Sequence, residues 1–94
     1  MRIGLLELTL HLPGVRSLKE KRGIVKGLLA RVRQRFEVSA AEVAYQDQWQ
    51  SVGLGVALVG NEVGPLQGRL RQVVRFCEMN GEVVVGDYHI EVLP

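Results

Sequence analysis

Apolar residues alternate with other residues at the start of the chain, which predicts a β-strand over Ile3–Leu12. One face of this strand carries four leucines at every second position, Leu6, Leu8, Leu10 and Leu12. The other face is mixed and consists of Leu5, Glu7, Thr9 and His11. The pattern indicates a strand that is buried on one side, and Pro13-Gly14 ends it in a turn.

The spacing of apolar residues then changes to the helical period, and Arg16–Phe36 is predicted to form one long amphipathic helix. Its apolar residues lie within a stripe of roughly 100°, the width of a core-facing surface: Leu18, Val25, Leu28, Leu29, Val32 and Phe36. Ser17 and Glu20 have the spacing of a capping box. In that motif the serine hydroxyl accepts from a first-turn amide, and the glutamate accepts from the amide of Ser17.

Three further strands and a second helix follow from the same patterns. Strands are predicted over Val38–Tyr45 and Val52–Val59, and a helix begins at Gly64-Pro65 and ends near Asn80-Gly81. The buried stripe of this helix is Leu66, Leu70, Val73, Val74 and Cys77. The last strand starts at Glu82, with one face made of Val84, Tyr88, Ile90 and Val92 and the other of Val83, Val85, Asp87, His89 and Glu91.

The element order β-α-β-β-α-β predicts an α+β fold of the ferredoxin-like type, with residues 1–94 as a single domain. Right-handed crossovers that place both helices on one sheet face give a four-stranded antiparallel sheet in the order 4-1-3-2. This topology brings the start of the first helix to the same sheet edge as the turn between strands 2 and 3. We therefore expect the first helical turn to adjoin Tyr45–Gln50.

Composition indicates an ordinary globular protein, with 94 residues, 47% apolar and 23% charged. No apolar run approaches the roughly 18 residues that a membrane span requires, and no signal-peptide pattern follows Met1. We therefore expect a cytoplasmic protein with no membrane partner. The single cysteine, Cys77, excludes an intramolecular disulfide and a cysteine-rich metal site.

Positive charge is concentrated in the first helix. Eight of the twelve Lys and Arg residues lie in Arg16–Phe36 with one acid, a formal charge of +7, whereas the remaining residues sum to −5. The sequence predicts a surface that binds nucleic-acid phosphates through Arg16, Lys19, Lys21, Arg22, Lys26 and Arg33. The alternative is a solvated, helix-favouring face without a partner. Binding is supported by the cations in the first turn, where the helix dipole disfavours positive charge.

The turn between strands 2 and 3 is polar and aromatic, and it is a candidate partner surface made of Tyr45, Gln46, Asp47, Trp49 and Gln50. Exposed Tyr45 and Trp49 could stack on unpaired RNA bases. Large aromatic side chains are more often packed, and this second interpretation is favoured: Trp49 holds the hairpin to the body of the protein or fills a dimer interface.

Two other surfaces suggest a homodimer. Gly23, Gly27 and Ala30 line one sector of the first helix, where another backbone, such as that of a second subunit, could approach closely. The sheet face opposite the helices is predicted to expose Leu5, Val83 and Val85. It is acidic and has no aromatic platform, which favours contact with another subunit over RNA binding.

Two segments carry a family resemblance: Ser17–Arg22 (Ser-Leu-Lys-Glu-Lys-Arg) and Tyr45–Gln50 (Tyr-Gln-Asp-Gln-Trp-Gln). Together they resemble the signature stretches of the YlxP-like family of small uncharacterised bacterial proteins. The resemblance implies a ferredoxin-like fold, a bacterial cytoplasmic setting, and genes often found beside those for translation initiation and ribosome maturation. It implies no catalytic residues, since none are established for the family.

Chemical sites other than a nucleic-acid surface have weaker support. Acylphosphatases share this topology and bind phosphate in the loop after strand 1, where this chain has Arg16, but it lacks their glycine-rich loop and has Gln46 as the nearest substitute for their asparagine. His11 and His89 are predicted to lie too far apart to share a metal ion. Cys77 falls on a buried stripe. The sequence therefore predicts a non-enzymatic RNA- or ribosome-associated protein, with a homodimeric interaction module as the alternative, and without metal, cofactor or established small-molecule substrate.

Overall fold

The computed structural model describes residues 1–94, and its six elements follow the predicted order. The strands are β1 (Arg2–His11), β2 (Ser39–Ala44), β3 (Ser51–Gly60) and β4 (Val84–Leu93). The helices are α1 (Leu18–Phe36) and α2 (Val63–Glu78). Each boundary lies within a few residues of the one that the hydrophobic pattern predicted.

The four strands form one antiparallel sheet in the order β2-β3-β1-β4. This is the predicted order 4-1-3-2, so the ferredoxin-like topology is confirmed. The central strand β1 pairs along its whole length with β3, from Arg2 opposite Gly60 to His11 opposite Ser51. As a result β2 and β4 form the two edges of the sheet.

The core lies between the sheet and the two helices. Leu6, Leu8 and Leu10 on the inner face of β1, and Leu12 directly after it, are at most 2% exposed. Against them pack the predicted stripe of α2 and that of α1, in which only Leu18 is partly exposed. The periods of β1, α1 and α2 therefore identified the apolar core residues of these three elements correctly.

Helix α1 begins two residues later than predicted. Ser17 has an extended backbone and is the N-cap, with its Oγ accepting a hydrogen bond from the Glu20 amide at 3.1 Å. The Glu20 carboxylate accepts from the amide of Arg16 at 3.5 Å, not from that of Ser17 as expected. The serine half of the capping box is present, but Glu20 accepts from the amide one residue before the N-cap.

A β-bulge in β4 corrects the predicted faces of that strand. Leu8 lies opposite Tyr88, but Leu10 lies opposite Val85, so β4 contains one residue more than β1 over this interval. Since each extra residue reverses the alternation of side chains, Val83 and Val85 turn towards the core, and Val84, opposite His11, turns to the open face. The predicted assignment of Val83 and Val85 to the open face was wrong.

A second bulge, in β2, positions an acidic residue that the site uses. Glu42 lies opposite Leu54, while Ala44 lies opposite Gly53, so Val43 is the extra residue. A Cβ atom on Gly53 would stand 2.6 Å from the Ala44 Cβ, so only glycine allows β2 to approach this closely. Glu42, like its opposite residue Leu54, therefore points to the helix side of the sheet.

Candidate nucleic-acid interface

Lys21 connects the first turn of α1 to the loop between β2 and β3. Its residue is 0% exposed, which makes it the one charged residue among the buried ones. Its Nζ donates to the carbonyl oxygens of Tyr45 and Gln46 and lies 3.0 Å from Glu42 Oε2. The contact between the Lys21 ammonium group and the Glu42 carboxylate is an ion pair.

The same loop is held from its other end by Gln50. The Gln50 side-chain amide donates to the carbonyl oxygens of Pro13 (3.2 Å) and Val15 (2.9 Å), and the Gln50 backbone carbonyl accepts from the Leu12 amide at 2.9 Å. The loops β1–α1 and β2–β3 are thus joined directly. The prediction that the start of α1 adjoins Tyr45–Gln50 is confirmed.

Tyr45 has a strained backbone, with φ of 62° in the left-handed region. Only Glu37 among the other non-glycine residues has a positive φ, and it forms the C-cap of α1. Strain of this kind persists where surrounding contacts determine the conformation. Here those contacts are the hydrogen bonds from Lys21 Nζ and from the Gln48 amide to the Tyr45 carbonyl oxygen.

Most of the predicted basic surface is exposed. We use the name basic stripe for Lys19, Arg22 and Lys26, which are exposed along one side of α1. Arg33 continues the stripe, but its guanidinium donates to the Ala40 carbonyl oxygen at 2.6 and 3.0 Å, which fixes this end of the stripe to β2. Arg16 is also exposed and directly precedes the N-cap.

The prediction that Lys21 belongs to the phosphate-binding surface was wrong. Its side chain is 1% exposed and its ammonium group is already surrounded by oxygen atoms. The helical period contained evidence for this position, because Leu18, Lys21, Val25 and Leu28 follow at intervals of three, four and three residues. Lys21 was nevertheless assigned to the surface, because lysine side chains are generally exposed.

The loop places its aromatic side chains in solvent. Tyr45 is 46% exposed and Trp49 is 52% exposed, and neither has an aromatic or cationic partner in the chain. With about half of its surface in solvent, Trp49 is not the fully packed side chain that the favoured interpretation expected, and its role in a dimer interface stays a prediction. Gln46 and Asp47 are exposed as predicted. Gln50 is also exposed, but its side chain is bonded to Pro13 and Val15.

The basic residues of the helices carry almost no compensating charge. Lys21–Glu42 is the single ion pair within 4.0 Å in the protein. Eleven of the twelve Lys and Arg residues lie between Arg16 and Arg75, the segment that contains both helices, and Arg2 is the exception. The open sheet face instead presents Glu7 and Glu91, on strands β1 and β4. The molecule therefore has a basic helical side and an opposite side with acidic groups.

Two features bear on the enzymatic alternatives. The Glu20 carboxylate already accepts from the Arg16 amide, so an acyl phosphate bound there would meet a negative charge. Cys77 is 0% exposed, and burial, with a smaller contribution from the charge of Glu78, raises the pKa of its thiol from 9.0 to about 11. The thiol thus stays protonated and enclosed at neutral pH, as a core residue does.

Comparison with known proteins identifies a family. Residues 3–90 match the family described as "Protein of unknown function (DUF503)". The chain belongs to this family. It is also 39% identical over 67 residues to the uncharacterised protein YlxP of Bacillus subtilis (strain 168), a match that covers 71% of this chain and 73% of the relative. The resemblance drawn from Ser17–Arg22 and Tyr45–Gln50 is therefore confirmed.

Neither α1 nor α2 has the length and apolar character that crossing a membrane would demand.

Proposed function

We propose that this protein is a non-enzymatic accessory protein that binds the phosphate backbone of RNA, free or in the ribosome, through the basic stripe with Arg16 and Arg33 at its ends. The observation that carries the proposal is unneutralised charge. Of the cations in α1 only Lys21 has an acidic partner, and it is buried. Exposed, unpaired cations on one side of a helix gain affinity for a polyanion by releasing its condensed counterions.

The position of the charge supports binding further. Lys19 and Arg22 lie in or next to the first turn of α1, where the partial positive charge of the helix terminus makes cations unfavourable by roughly 0.3–1 kcal/mol. Acidic residues would stabilise this turn better, and only Glu20 is present there. A surface that retains cations at such a position is better explained by an anionic ligand than by helix stability.

The test is a salt titration of binding to a labelled RNA, with a DNA of the same sequence in parallel. We expect the logarithm of affinity to fall linearly with the logarithm of salt concentration, with a slope near −0.7 per single-strand phosphate contact. The double variant Lys19→Glu with Arg22→Glu should bind at least ten-fold more weakly and show a shallower slope.

A matched control is Arg71→Glu with Arg75→Glu, which makes the same change in net charge on exposed positions of α2. This control should retain most of the affinity. If both double variants lose affinity equally, the stripe on α1 has no special role. Absence of binding by the unmodified protein at low salt would refute the proposal as a whole.

A homodimeric interaction module is the second candidate, and the open sheet face favours it. Val43, Val59 and Val84 are each at least 55% exposed. A shallow groove of about 350 Å³ lies between β1, β3 and β2, and its lining includes Leu5, Val43 and Ala57. Exposed apolar surface of this kind is typical of protein contacts. Both functions are compatible, because the basic stripe belongs to the helical side.

A further inference from the structure

We infer that the Tyr45–Gln50 loop is a stacking platform for unpaired bases, so that the RNA bound by this protein is single-stranded where it passes the loop. This inference rests on the proposed function, and it adds the class of nucleic acid that the site takes. It arises from one arrangement: two exposed aromatic side chains on a loop that the start of the basic helix holds in place.

The aromatic side chains of the loop are only half covered by the rest of the chain and are in no aromatic or cation-π pair. Trp49 and Tyr45 are about half exposed, while the only aromatic pair, Phe36 with Phe76, lies elsewhere at a centroid distance of 5.7 Å. Trp49 is the single tryptophan of the protein. Aromatic faces left open to water are suited to stacking, and every unpaired base offers a π-face to them.

The loop is fixed before any ligand arrives. Lys21 holds the Tyr45 and Gln46 carbonyl oxygens from inside the protein, and Gln50 bonds to Pro13 and Val15 at the other end. A preorganised surface loses little conformational entropy on binding. The left-handed backbone of Tyr45 is a strained conformation that these bonds maintain.

Exposed cations flank both anchoring points. Arg22 directly follows Lys21, whose ammonium group bonds to the loop, and Arg16 directly follows Val15, whose carbonyl oxygen accepts from Gln50. Phosphates bound by these arginines would therefore be near bases placed on the loop. Asp47, which is exposed, adds an acceptor for the amino groups of bases.

The chemistry favours a single strand over a duplex. Bases in an A-form helix are stacked on each other, so their faces are closed to Trp49, whereas unpaired bases can be splayed onto aromatic side chains. The sheet face that RNA-recognition domains use for stacking carries Leu5, Glu7 and Thr9 on its central strand here and no aromatic residue there. The Tyr45–Gln50 loop, and not the sheet face, therefore combines aromatic side chains with neighbouring basic residues.

The experiment uses the intrinsic fluorescence of Trp49 on the full chain, titrated at low salt with a 12-nucleotide single-stranded oligo(U) and with a 12-base-pair RNA duplex. We expect saturable quenching by the single strand and none by the duplex. In a competition assay Trp49→Ala should weaken single-strand binding about 5- to 100-fold, leave duplex binding unchanged, and be largely rescued by Trp49→Phe.

Tyr88→Ala is the matched control, because Tyr88 is also 52% exposed but lies on β4 opposite Leu8. It should change neither affinity, and circular dichroism should show all variants folded. Unchanged single-strand affinity in Trp49→Ala, together with loss in Lys19→Glu/Arg22→Glu, would overturn the inference and leave the phosphate-binding function standing. Loss of self-association in Trp49→Ala without an RNA effect would assign Trp49 to a protein interface. Binding of neither RNA would refute the proposed function itself.

Discussion

Lys21 is a charge removed from water and compensated by three oxygen-bearing groups. Transfer of an ammonium group into a protein interior has a cost of several kcal/mol, which the ion pair and the carbonyl contacts offset. Its side chain is 1% exposed and that of Glu42 is 18% exposed. The arrangement therefore depends on both partners, and removal of one leaves the other poorly solvated.

We expect Lys21→Met to lower the free energy of unfolding by about 3 kcal/mol. The cause is the Glu42 carboxylate left without its counter-charge, and the partial exposure of Glu42 keeps the loss at the lower end of the range for buried pairs. Urea unfolding at neutral pH measures it. Lys19→Met, a change of the same kind at an exposed position, should alter stability by no more than about 0.5 kcal/mol.

The double variant Lys21→Met with Glu42→Leu separates pairing from burial. With no charge left unpaired, it should recover most of the stability that Lys21→Met loses. Equal stability of Lys21→Met and the unmodified protein would contradict the account of Lys21 as an essential counter-charge.

The ion pair of Lys21 and Glu42 could have been predicted by applying the helical and strand periods to charged residues as well as to apolar ones. Lys21 falls between core positions Leu18 and Val25, and Glu42 follows Ala40 at the strand interval of two. Two opposite charges at inward positions of α1 and β2 indicate an ion pair. The hydrogen bonds from Lys21 to the carbonyl oxygens of Tyr45 and Gln46 could not be predicted. They depend on the left-handed backbone of Tyr45, and sequence patterns indicate that conformation only at residues such as glycine or asparagine.

At the scale of elements, α1 contains two glycines with no structural reason inside the chain. A Cβ atom built on Gly23 or Gly27 would meet no atom within 4 Å outside the adjoining helix backbone and chain neighbours. Glycine in a helix interior is less favourable than alanine by roughly 1 kcal/mol. The close contact expected at these glycines therefore does not occur within the chain, and a contact with a second subunit stays a prediction.

Gly23→Ala with Gly27→Ala should raise the free energy of unfolding by about 1–2 kcal/mol in total. Thermal unfolding monitored by circular dichroism, at a protein concentration low enough to limit self-association, measures this gain. Gly53→Ala provides the contrast, since its new Cβ would stand 2.6 Å from that of Ala44 and should destabilise the protein. A lower melting temperature for the helix variant would mean that these glycines serve a packing role.

The order and type of elements were predictable because each has a clear period, but the two β-bulges were not. Val83, Val84 and Val85 are three consecutive valines, which fit either face of a strand. The extra residue before Tyr88 becomes evident only from the pairing with β1. The face assignment failed there for that reason. The exposure of Trp49 was missed for a different reason, since general burial statistics for tryptophan outweighed the local polarity of its loop.

At the scale of the whole molecule, the helical side is basic, whereas the sheet side combines acidic and apolar groups. Such a division allows one protein to bind a polyanion and a protein partner at the same time, because the two surfaces do not compete. On the open face Glu7 lies opposite His89 in the register of β1 and β4, which gives that carboxylate a neighbouring basic group. Val43, Val59 and Val84 are exposed on the same face.

If the open face is a dimer interface, sedimentation at tens of micromolar protein should show a monomer–dimer equilibrium. Val43→Glu with Val84→Glu places two charges where side chains are each 55% exposed, so the monomer should tolerate them while the dimer dissociation constant rises at least ten-fold. Met79→Glu, at a position 87% exposed beyond the end of α2, should leave that constant unchanged. A monomer at 100 µM for the unmodified protein would exclude this interface.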